Sequence, residues 1–99
     1  KKPDYRNSIK ESISAVESLT KIITKNDKTT LGQALKEIEA KHNIPGSLKS
    51  AFTALYGYTS GEGGIRHSLL ETGVKVDIEE ARFMLITCSA FVNYLISKV

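Results

Sequence analysis

The run Tyr56-Gly57-Tyr58-Thr59-Ser60-Gly61-Glu62-Gly63-Gly64-Ile65-Arg66-His67 departs from the helix-building residues around it. A glycine-rich loop that leads into a helix start leaves backbone N–H groups without partners, and such groups attract anions. Arg66 and His67, in the first turn of that helix, add a fixed positive charge and an imidazole that titrates near neutrality. Gly63, Gly64, Arg66 and Tyr58 are therefore the candidate anion- or RNA-binding residues, with the tyrosine placed to stack on a single-stranded base. Metal-free cleavage of RNA needs a deprotonated 2′-hydroxyl and a stabilised phosphorane charge. His67 and Arg66 are the residue types for those two tasks, and Glu17 on the first helix would orient one of them.

Each of these residues also has a structural use. Arg66 would form an ion pair with a carboxylate of the first helix. Glu17 flanks that helix's apolar stripe, whereas Glu11 projects from the opposite face. Gly61, Gly63 and Gly64 match neither a P-loop nor a dinucleotide fingerprint, and a tight connection between helices calls for glycine wherever φ is positive. Tyr56 and Tyr58, two residues apart, leave a helix on opposite sides, so one is expected in the core with its hydroxyl satisfied and the other exposed. Cys88, among apolar neighbours, reads as a buried thiol. His42 falls in the last turn of a helix, where a protonated imidazole suits the dipole.

The elements that position these residues are helical, because apolar residues recur at helical spacing almost throughout. The first helix is expected over residues 4–24, with Tyr5, Ile9, Val16, Leu19 and Ile23 on one side and Ile13 and Thr20 extending the stripe. Thr30-Leu31-Gly32-Gln33 has the form of a capping box and opens a second helix that runs to about His42, with Leu31, Ala34, Leu35 and Ile38 inward. Asn43-Ile44-Pro45-Gly46 stops it. Ser47 reads as the cap of a third helix ending after Tyr58, with Leu48, Phe52 and Leu55 inward. A short fourth helix is expected over 65–72, closed by Gly73.

The last helix opens on Asp77-Ile78-Glu79-Glu80, acidic residues at the end where the dipole favours them. Residues 83–97 of that helix carry no charge. The stretch falls short of the roughly 20 residues that span a bilayer, so it reads as a core helix and no membrane is expected among the partners. Its apolar residues point in nearly all directions, and a helix of that kind must be covered all round. Four other helices of modest length leave a face for a second copy or a further domain. Asn93, within it, would either specify pairing across a dimer interface or bond a buried backbone carbonyl.

The bulk numbers agree with one domain over residues 1–99. The hydrophobic share is 40% and the charged share 25%, as in globular proteins. The net charge is +3, from 14 basic and 11 acidic residues that alternate along the chain, which argues against a patch for duplex nucleic acid. The single cysteine excludes a disulfide framework and a zinc cluster, so no metal or other cofactor is expected, and a reducing, cytoplasmic setting is. The opening Lys1-Lys2-Pro3-Asp4 holds no secretory leader and no initiator methionine, which reads as a piece of a longer protein with an upstream domain as a partner.

Three segments together carry a resemblance. They are the first helix from Tyr5 to Ser18 (YRNSIKESISAVES), the stretch from Tyr56-Gly57-Tyr58 to Gly64-Ile65-Arg66-His67-Ser68, and Glu80-Ala81-Arg82-Phe83-Met84-Leu85. The chain resembles, over nearly its whole length, the carboxy-terminal helical domain of bacterial abortive-infection-type phage-defence proteins, and through it the wider HEPN group. That resemblance implies an all-α bundle of about five helices, a homodimer formed through helices, and in many members a metal-independent endoribonuclease. The family signature is an arginine, a polar residue, then a histidine four to six positions on. Arg66 and His67 match its opening, whereas Glu71, Thr72 and Gly73 stand where the closing histidine would fall. His67 as a substitute departs from the pattern, since neighbours on a helix diverge by about 100°.

Three functions follow as expectations. One is a defence effector that contacts or cleaves RNA at Arg66. Another is a catalytically silent module that dimerises on behalf of another domain. The third, a helical adaptor for a peptide or protein, requires an exposed apolar groove.

Overall fold

Four α-helices build residues 4–60 and 76–99, the part of the chain that this computed structural model describes, and no strand occurs among those residues. They are α1 (Tyr5–Thr24), α2 (Leu31–His42), α3 (Gly46–Ser60) and α4 (Ile78–Lys98). The expected helix over 65–72, its closing Gly73 and the glycine loop before it lie outside the described residues, so the all-α class stands and the count among described residues is four.

Local chemistry accounts for the ends. Asp4 accepts a hydrogen bond from the Asn7 N–H at 3.0 Å and starts α1. Lys25, at φ 56°, turns the chain left-handed and closes it. The capping box of α2 is present: the Gln33 N–H donates to Thr30 Oγ1 and the Thr30 N–H donates to Gln33 Oε1, both at 3.2 Å. Asn43, a residue that tolerates the left-handed region, ends α2 at φ 61°.

The third helix starts one residue before the expected cap. The Pro45 carbonyl accepts from the Leu48 and Lys49 N–H groups, so Ser47 sits inside the first turn. Proline suits that place because its missing N–H would have no partner there. Lys49 reaches back to Glu39 at 3.2 Å and ties α3 to α2. The helix continues past Tyr58 to Ser60, where Thr59, itself buried, donates its hydroxyl to the Tyr56 carbonyl at 2.8 Å. Leu48, expected inward, is exposed; it lies in the first turn of α3, four residues before the buried Phe52.

The long helices α1 and α4 form the spine and make the most extensive contact of any pair. They run in the same direction. Ile9 and Ile13 meet Ala81 and Met84 in the larger core cluster, while Leu19 and Ile23 reach Leu95 in the smaller one. Ile13 and Thr20, expected at the margin of the α1 stripe, are at its buried centre. Helix α3 runs opposite to α4 and docks through Phe52, whose ring stacks on Phe91 with centroids 3.9 Å apart. Helix α2 supplies Leu31 and Leu35 to the larger cluster and Ile38 to the smaller, closed by Ile44.

Cys88 is buried in the larger cluster, and burial pushes its thiol from an ordinary 9.0 up to about 11. The sign follows from linkage. The unfolded chain releases this proton first, so stability is unaffected below about pH 8.5 and falls as the pH climbs through 9 toward 11. Denaturation at pH 8 and pH 10.5 is expected to show wild type losing about 2 kcal/mol more than Cys88→Ala over that interval.

Candidate functional site

Glu17 is the sequence-derived site residue that the fold places most firmly. It sits on α1 beside Val16, half-buried, and its Oε2 accepts a hydrogen bond from the Tyr56 hydroxyl of α3 at 3.0 Å. The pair joins two helices that share the larger apolar cluster, so a carboxylate at this depth has a donor supplied from across the core. The Glu17 carbonyl also accepts from the buried Thr20 hydroxyl at 2.8 Å, which fixes the backbone of that turn. Glu11 is exposed and accepts from Asn7 Nδ2 at 2.9 Å.

Of Tyr56 and Tyr58 one is expected in the core and the other exposed, and the two divide as their spacing demands. Tyr56 packs on the larger cluster with its hydroxyl on Glu17, and Tyr58 is 37% exposed on the other side of α3. The structure thus brings Glu17 to Tyr56 and not to Tyr58. The neighbours of Tyr58 are Leu55, Phe83 and Met84, with Glu79 and Glu80 at the edge. Burial pushes the Tyr58 hydroxyl pKa up, the negative charge of Glu80 adds to that, and Arg6 opposes it. Carboxylates this close disfavour a phosphate backbone at that ring.

Arg66, His67, Gly63 and Gly64 lie outside the described residues. The one cluster of metal-ligating side chains among the described residues is Asp77, Glu79 and Glu80, whose oxygens lie within 4.8 Å of one another. Its position at the start of α4 has a structural cause: Glu80 Oε1 accepts from the Asp77 N–H at 3.1 Å, and acidic groups here complement the helix dipole. His42 is half-buried in the last turn of α2, as its position implied.

Among the described residues, α4, uncharged over residues 83–97, divides into a buried and an exposed side. Ala81, Met84, Cys88 and Leu95 are buried, while Phe83, Leu85, Ile86 and Ile96 are each more than half exposed. Asn93 is exposed between them, which removes the reading in which it bonds a buried carbonyl. No helix among the described residues is long and apolar enough to cross a membrane.

Sequence reasoning missed Tyr56 as the donor to Glu17, although the signal was there: of two tyrosines on opposite sides of one helix, the inward one needs an acceptor. Comparison with protein-family models, with curated proteins and with solved structures gave no match.

If the Glu17–Tyr56 bond is a structural tie, Tyr56→Phe is expected to cost about 1–2 kcal/mol in chemical denaturation. Glu17→Gln, which keeps an acceptor, should cost less than Glu17→Ala.

Proposed function

We propose that this chain is a HEPN-like helical domain of the kind carried by bacterial phage-defence proteins, and that it works as an association module, pairing with a second copy through the outer face of α4. The observation that carries this reading is the group Leu85, Ile86 and Ile96, exposed by 52, 61 and 57% along one helix without an acidic residue between them. Isolated exposed apolar residues are ordinary, but several on one face of one helix mark a contact surface. Two antiparallel copies of α4 about a two-fold axis would bury the uncharged stretch, with Glu79, Glu80 and Arg82 at one end of each copy and Lys98 at the other. Asn93 would then fix the register of the pair.

Light scattering behind size exclusion tests this directly. The wild-type domain is expected to elute as a dimer and Ile86→Lys as a folded monomer. A wild type that stays monomeric at the highest attainable concentration would remove the reading.

A second reading has one observation in its favour: Glu17 is held in a fixed position by Tyr56, as an orienting carboxylate must be. In it the domain cleaves RNA without metal, with Arg66 stabilising phosphate charge, His67 transferring the proton and Glu17 positioning one of them. Incubation with cellular RNA in EDTA decides it. Cleavage lost in Arg66→Ala and in His67→Ala supports the reading, and intact RNA with folded wild-type protein sinks it.

A further inference from the structure

Between α3 and α4 runs a seam of hollows distinct from the face assigned to the second copy. Two of them, of about 290 and 260 Å³, adjoin at Leu55 and together follow the helices from Tyr58 and Glu80 to Leu48 and Tyr94. Their walls come from residues at helical spacing: Leu48, Leu55 and Tyr58 on α3, and Phe83, Ala90 and Tyr94 on α4. Each row covers ten or more residue steps, roughly 16 Å, or three turns of a helix. Leu48, Tyr58 and Phe83 are 46, 37 and 56% exposed, and the small Ala51 and Ala90 leave room in the middle of the seam.

Three features decide what such a groove receives. Two antiparallel helices side by side offer a trough that a third helix fills ridge into groove, with alanines allowing its backbone to come close. The wall is apolar along its length, so the occupant must present an apolar stripe at i, i+3 or i+4, and i+7. One end is acidic in a chain of net charge +3: Glu79 and Glu80 line it, and with Asp77 their oxygens lie within 4.8 Å of one another. The Arg6 side chain faces the same end from α1 and offsets part of that field at Tyr58.

We propose that the α3–α4 groove is a receptor for an amphipathic helix of another protein, one that lays an apolar stripe along Leu48, Leu55, Phe83 and Tyr94 and places Lys or Arg over Glu79 and Glu80. The proposal does not depend on pairing through α4's outer face: Leu85 and Ile96 lie on the opposite edge of the helix from Phe83 and Ala90, and Ile86, three residues after Phe83 and four before Ala90, borders both surfaces. It gives the domain two separable surfaces, one for a copy of itself and one for a partner.

Fluorescence anisotropy tests it, with the intact domain titrated into a labelled synthetic peptide of leucine, alanine and lysine arranged as an amphipathic helix. A scrambled peptide of the same composition and a version with glutamate in place of lysine serve as controls. The amphipathic basic peptide is expected to bind and the controls are not. Phe83→Ser removes an exposed wall and Ala90→Gln adds neutral bulk in the trough. Each should weaken binding about tenfold with circular dichroism unchanged. Glu79→Gln and Glu80→Gln, which keeps its capping acceptor, should each cost about two- to fivefold and flatten the salt dependence. Equal binding of the scrambled peptide, or no loss in Phe83→Ser and Ala90→Gln, overturns the proposal. So does self-association that Phe83→Ser abolishes, because that outcome places a second copy in the groove.

Discussion

Phe52→Ala is expected to cost about 3–5 kcal/mol of stability, a large fraction of the roughly 5–15 kcal/mol that holds a domain folded. Phe52 is 3% exposed and belongs to the cluster in which α1, α2, α3 and α4 all meet. Its ring lies face to face with Phe91, centroids 3.9 Å apart and planes 7° apart, and Phe91 in turn contacts Tyr94 at 6.3 Å. Truncation removes the transfer energy of a whole ring and leaves a void that several rigid helices line, so the neighbours have little room to collapse. It also removes a stacked aromatic pair, worth about 0.5–1.5 kcal/mol beyond the buried area. Four residues earlier on the same helix, Leu48 is 46% exposed, and Leu48→Ala should stay within about 0.5 kcal/mol. Urea unfolding of the two variants side by side checks the contrast. A Phe52→Ala cost below about 1 kcal/mol would mean that α3 is not docked on α4 as described.

Much of this fold is readable from particular residues. Thr30 with Gln33, Asn43 before Pro45, and Asp77 with Glu80 are local devices whose partners lie within a few positions, so the sequence spells out both members. The inward residues of α1 and α2 follow from spacing alone for the same reason. Leu48 and Ser47 did not: Pro45 starts α3 before Ser47, and Leu48, four residues before the buried Phe52, lies in the first turn, where exposure depends on which helices reach that end rather than on spacing. The contact of Tyr56 with Glu17 joins positions 39 apart, and periodicity carries no information at that range. The surplus of apolar residues on α4 was legible as a total. Its division into a buried side, a groove beside α3 and an outer face depends on where α1 and α3 dock.

That division gives the second large expected effect, at two adjacent positions near the end of α4. Leu95 is fully buried in the smaller cluster, where Ile38, Ile44, Leu19 and Ile23 bring together α1, α2 and the turn after α2. Leu95→Ala is expected to cost about 2–5 kcal/mol at any protein concentration, since the cavity lies inside one chain. Ile96 is 57% exposed and makes no part of either cluster. In an isolated chain Ile96→Ala should stay within about 0.5 kcal/mol. If α4 pairs with a second copy, the same substitution acquires a cost that grows with protein concentration, because association adds to apparent stability by mass action. Denaturation of both variants across a hundredfold range of concentration therefore separates the two kinds of burial. A Leu95→Ala cost that varied with concentration would place the smaller cluster at an interface. An Ile96→Ala cost that stayed near zero throughout would leave the outer face of α4 uncovered and the pairing reading without support.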